Sequence, residues 1–115
     1  MREDLALQAH ELGWVRALRW RATLHYEHCH DELEVNLIQQ GSGTYLIEGE
    51  AVELGPGDVI WLHPDQPHIL INQSEDILAW LIVIKPALAK QRIKSAKNAI
   101  RIFVSHRITK LHFNL

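Results

Sequence analysis

From Leu18 onward the sequence alternates with a period of two: Leu18, Trp20, Ala22, Leu24 and Tyr26 are apolar, with Arg19, Arg21, Thr23 and His25 between them. Successive side chains of an extended chain point to opposite faces, whereas a helix repeats every 3.6 residues, so this pattern predicts a half-buried strand with its even-numbered face inside. The even face runs directly into His28 and His30. Parity therefore places both imidazoles inside and puts His25 and Cys29 outside. Glu34 lies at a further even offset, so an unbroken strand would carry it to the same face.

The rest of the chain is cut into short strands by turn residues. A short helix is expected over residues 3–12, ended by Gly13. Residues 33–40 form the next strand, closed by Gly41-Ser42-Gly43, which supplies the positive φ of a hairpin turn. Strands are expected at 44–48, 51–54, 59–62, 68–72 and 77–84. Between them lie Gly49-Glu50, Gly55-Pro56-Gly57-Asp58, Pro64-Asp65-Gln66-Pro67 and the polar Gln73-Ser74-Glu75-Asp76. Such spacing suggests a β-sandwich or barrel. Residues 77–84 are apolar on both faces, so that strand must be covered twice, by the C-terminal tail or by another subunit. Pro86 is placed to start a helix reaching about residue 98. Beyond it Ala89, Ile93, Ala96, Ile100 and Phe103 recur at helical spacing, while 100–104 and 108–113 are open to either helix or strand.

Length bounds the chain to one domain: 115 residues can bury a core but not split in two, with a barrel at about 14–84 and a basic segment at 85–115. No apolar run approaches the roughly 18 residues that span a bilayer. The first residues lack the apolar stretch of a signal peptide. A single cysteine, Cys29, excludes an internal disulfide and fits a reducing cytoplasm. The net charge of −2 hides an asymmetry, since residues 1–84 carry 14 acids against four arginines and residues 85–115 carry eight bases and no acid. This basic segment is short for a complete DNA-binding module, so docking on its own acidic barrel or on a partner subunit is favoured over direct DNA binding.

His68 follows the Pro64–Pro67 turn, and with His28, His30 and Glu34 it completes a set of three imidazoles and a carboxylate converging from two strands. Such a set suits a divalent transition metal: iron, manganese, nickel or zinc. A carboxylate inside a barrel is costly unless paired or bound to metal. The alternative is a group of hydrogen-bonded core histidines with Glu34 as their partner. Trp20 and Tyr26, on the inward face, are candidate walls of a ligand pocket, and Asn36 and Asn72 are the further inward polar candidates. Cys29 reads as a passive residue, and His63, His106 and His112 as ordinary polar positions. No phosphate loop, nucleophile elbow or paired-cysteine zinc motif is present.

Residues 28–72 resemble the paired motifs of the cupin superfamily. His28-x-His30, Glu34 and Gly41 stand at the spacing of its first motif, and Gly57, His68 and Asn72 in the frame of its second. Ala22 replaces a glycine expected before the first histidine, and His63 and Asp65 replace proline and glycine in the second motif. The resemblance implies an all-β, double-stranded β-helix (jelly-roll) barrel with a basic helical C-terminal segment. It also implies that His28, His30, Glu34 and His68 are metal ligands. Within that superfamily the stretch from His30 to His68 is most similar to the N-terminal sensing domain of AraC-type transcription regulators. That likeness implies a homodimeric small-molecule sensor, here without the DNA-binding part; a small metal-dependent oxygenase, isomerase or lyase, and a metal-free structural barrel, are the other readings.

Overall fold

The computed structural model describes residues 2, 4, 5, 7, 11–20, 28–86 and 109–114. They form eight strands: β1 (Gly13–Arg19), β2 (Leu33–Gln40), β3 (Gly43–Ile47), β4 (Glu50–Leu54), β5 (Asp58–Leu62), β6 (His68–Gln73), β7 (Leu78–Ile84) and β8 (Thr109–His112). These make two antiparallel sheets, one in the order β1-β7-β2-β5-β8 and one in the order β4-β3-β6. The helix expected from Pro86 to about 98 falls on residues outside the described ones. The described part of residues 3–12 carries no helix.

The turn chemistry sets the strand limits. Gly41 ends β2 at a φ of 75°, and Glu48 and Gly49, both at positive φ, make a two-residue turn between β3 and β4. That turn sits one residue earlier than expected. The Gly55–Gly57 turn is closed by the Asp58 carboxylate, which accepts the Gly55 amide at 2.8 Å. At its end Gly57 has a φ of 89°, and a Cβ there would run into the Phe113 carbonyl oxygen.

The main departure from the sequence pattern is at the start. Among the described residues the first strand covers 13–19, beginning ahead of the expected Leu18 because its partner is β7: Gly13 lies opposite Ile84 and Arg19 opposite Leu78. Leu18 is buried as parity requires, but the strand stops at Arg19 and Trp20 is 55% exposed. Residues 21–27, Tyr26 among them, lie outside the described part.

Opposed residues in an antiparallel pair share a face, and this sorts the five-stranded sheet. Leu18, Ala79, Ile38, Ile60 and Leu62 face inward and pack with Tyr45, Ile47 and Leu54 of the other sheet and with Ile77. Glu34 and Asn36 share that inner face, on β2. The outer face carries Val15 and Ala17, then Trp80 and Ile82, then Val35 and Leu37, then Trp61, then Leu111. Val15 is 62%, Trp80 37% and Leu111 46% exposed. Strand β7 is thus apolar on both faces, as its sequence indicates.

Candidate metal centre

Three elements bring the ionisable groups together. Residue 28 pairs with β6 in the smaller sheet: the His28 amide donates to the His68 carbonyl at 3.0 Å, and the His68 amide to the His28 carbonyl at 2.8 Å. Two residues joined this way lie directly opposite, so their side chains share a face. The His28 ring centroid is 4.5 Å from that of His68, in an edge contact. The chain then bends at Asp31 and Glu32 instead of running on as a strand, and β2 delivers Glu34 from the larger sheet.

Ligand atoms of His30, Glu34 and His68 all lie within 4.8 Å of one another. His30 is 1% and His68 2% exposed, while the Glu34 side chain retains 13%. His28 stands beside this trio without joining that set, its ring 6.5 Å from the His30 ring. Three of the four expected ligands therefore converge, and the fourth is adjacent.

The hydrogen bonds fix which nitrogens face the centre. His68 Nδ1 lies 2.9 Å from the Gln66 carbonyl oxygen. A carbonyl only accepts, so Nδ1 carries the proton and Nε2 presents its lone pair. Nε2 is buried with no hydrogen-bond partner among the described residues. Burial pushes the His68 imidazole down to about 4, against the opposing effects of the Glu34 charge and the Gln66 carbonyl, so His68 is neutral at neutral pH.

His30 is oriented in the same way. Its Nδ1 is 3.0 Å from the Glu32 carbonyl oxygen and its Nε2 is 3.1 Å from Glu34 Oε1. With Nδ1 donating, a neutral ring would set the Nε2 lone pair against a carboxylate. A proton on Nε2 resolves that conflict, and so does a cation between the two groups. Burial raises the Glu34 carboxyl, but the hydrogen bond from His30, the electrostatic pull of the two imidazoles as they take up protons and the Asn36 amide outweigh it and hold Glu34 below its ordinary value. An ionised carboxylate, an oriented imidazole and an orphaned buried nitrogen form a donor set that fits a divalent transition ion.

The expected ligand-pocket residues separate. Asn36 is fully buried, and its amide donates to the Tyr45 hydroxyl. Tyr45 is thereby part of the polar interior beside Glu34. Asn72 is exposed near the far end of β6, about 13 Å along the strand from His68 at the usual rise. It lines a separate cavity of about 390 Å³ with Ser42, Thr44 and Glu53. Trp20, just past the end of β1, is exposed and lines no part of the buried trio's interior. His63, expected to be an ordinary polar residue, is 2% exposed and hydrogen-bonded to Thr109 across β5 and β8. Its partner is 46 residues away, and nothing local in the sequence signals it.

Two sheets enclosing a His/Glu cluster define this chain as an all-β barrel of the cupin class. It superposes on a cupin protein from Bacteroides fragilis with a TM-score of 0.52 at 28% identity, covering 63% of each chain. Residues 13–91 match the profile of the AraC-like ligand binding domain, and the chain belongs to that family. The fold also matches ToxT from Vibrio cholerae with a TM-score of 0.62 at 13% identity, over 90% of this chain and 43% of ToxT. A ToxT structure with an unsaturated fatty acid bound matches with a TM-score of 0.54 at 15% identity, over 73% of this chain and 32% of that one. The chain thus spans less than two thirds of the length of these proteins. A search of curated protein sequences finds no match.

Proposed function

We propose that this chain is the sensing domain of a regulatory protein, in which His30, Glu34 and His68, with His28 beside them, hold a divalent transition metal that takes part in binding a small molecule. The observation that carries the reading is the buried trio with its ligand atoms within 4.8 Å and a His68 Nε2 lone pair that has no partner among the described residues. Three protein ligands leave positions on such an ion for an anionic or hydroxyl group of the small molecule. Membership of the AraC-like ligand binding family supports sensing over catalysis. The fatty acid in ToxT belongs to that protein, and the polar surroundings of Glu34 and Asn36 favour a more polar ligand here.

Two partner readings accompany it. The outer face of the five-stranded sheet supports homodimerisation, because it exposes Val15 on β1 and Trp80 on the adjacent β7. The basic C-terminal segment is read as docking on its own barrel rather than on DNA: Lys110 donates to the Glu53 carbonyl at 3.1 Å and lies 3.6 Å from Asp58. Among the described residues no helix is long and apolar enough to cross a membrane. A cytoplasmic location is supported by the single unpaired cysteine.

One observation favours a metal-free structural core instead, namely the direct His30–Glu34 hydrogen bond. Titration of metal-stripped protein with iron, manganese, nickel and zinc decides between them. The sensing reading expects close to one equivalent of one of these ions. Less than about a tenth of an equivalent of all four leaves the hydrogen-bonded core.

A further inference from the structure

The turn between β5 and β6 holds two buried polar residues, His63 and Gln66. Gln66 is fully buried, and its Oε1 accepts the His63 amide at 3.1 Å, while the Gln66 amide donates to the His63 carbonyl at 3.1 Å. This double closure fixes the direction of the Gln66 carbonyl, which is the group that holds His68 Nδ1–H. The same turn reaches the second histidine, since the Asp65 amide donates to the His30 carbonyl at 2.9 Å. On its other side the turn reaches the C-terminal strand, where His63 Nε2 is 3.1 Å from Thr109 Oγ1.

We propose that Gln66 and His63 are positioning residues through which the His30–Glu34–His68 site is coupled to the docking of strand β8 at Thr109. The proposal rests on the metal-centre reading for its ligand, and on the hydrogen-bond chain for its route. A bound ion requires His68 to keep its Nδ1–H tautomer; that tautomer requires the Gln66 carbonyl; and the turn carrying it is braced against β8. Coupling of this kind is reciprocal, so an ion that tightens the turn also tightens β8, the described end of the basic segment. Partners of metal ligands act in this way, and their loss lowers metal affinity by about 10- to 100-fold.

The test uses the full chain with zinc as the probe and three variants. Thr109→Val removes the hydroxyl and keeps the β-branched shape; Thr109→Ser restores the hydroxyl; Gln66→Met keeps the length and removes the acceptor. Zinc affinity is measured by competition titration, the His68 tautomer by nitrogen-15 shifts, and β8 by amide exchange at residues 110–112. Zinc is expected to slow β8 exchange in the unaltered chain but not in Thr109→Val. Thr109→Val and Gln66→Met should bind zinc more weakly, by up to about 10-fold because both act on His68 through the turn and not directly, with Thr109→Ser close to the unaltered chain. Unaltered zinc affinity and tautomer in both Thr109→Val and Gln66→Met overturn the coupling. A chain that takes up no zinc overturns the metal reading. The metal-free tautomer and β8 exchange of Gln66→Met then decide the coupling: both altered supports it, both unchanged overturns it.

Discussion

His68 keeps one nitrogen bonded to the turn before it and buries the other with no hydrogen-bond partner among the described residues, and that burial has a consequence for stability. Its imidazole falls from an ordinary value of 6.5 to about 4 on folding, so the unfolded chain accepts a proton that the folded chain refuses. The contribution is complete above about pH 6.5 and is lost as pH falls through 4, with an upper bound of about 3 kcal/mol. Glu34, held below its ordinary 4.5, acts in the same direction at the acid end of that window. Denaturant melts of metal-free protein should therefore show stability falling between pH 7 and pH 4.5, and His68→Gln should flatten the profile. An equally steep profile in that variant would assign the loss to other groups.

Strand limits were legible where a turn residue announced them. Strand β2 runs Leu33–Gln40 as its pattern predicts, because Gly41 must take positive φ. Strand β1 was not legible, since its register comes from β7, nearly seventy residues on, and not from the local alternation at 18–26. The inward placement of His30 holds, and among the described residues it is the pairing of residue 28 with His68 that fixes it. His63 and Tyr45 were missed as polar contacts for the same reason: Thr109 and Asn36 are neighbours only after the sheets form. Strand β8 could be read as helix or strand; its antiparallel pairing with β5 makes it a strand, and three contacts hold it there. Gly57 yields to the Phe113 backbone, Asp58 accepts from His112 Nδ1 at 2.7 Å, and Lys110 spans Glu53 and Asp58. Gly57→Ala should thus cost about 1–3 kcal/mol through its left-handed φ and should speed amide exchange in β8. A thermal melt unchanged within error would contradict the Gly57–Phe113 contact.

At the scale of the molecule, the inner faces of the two sheets make the core while the larger sheet turns a second apolar face outward. Val15 and Trp80, exposed on the adjacent strands β1 and β7, form an apolar patch open to a partner. Sedimentation should show self-association that Val15→Glu abolishes, with a stability change within about 0.5 kcal/mol because the site is on an exposed edge strand. A monomer at all concentrations would return that face to some other cover. The central claim concerns the other face, where His30, Glu34 and His68 meet. Native mass spectrometry of the chain supplied with zinc, iron, manganese and nickel tests it most directly. The account predicts one ion per chain, lost in a His30→Ala/His68→Ala double variant that still folds; a full equivalent retained by that variant, or no ion in the unaltered chain, would contradict it.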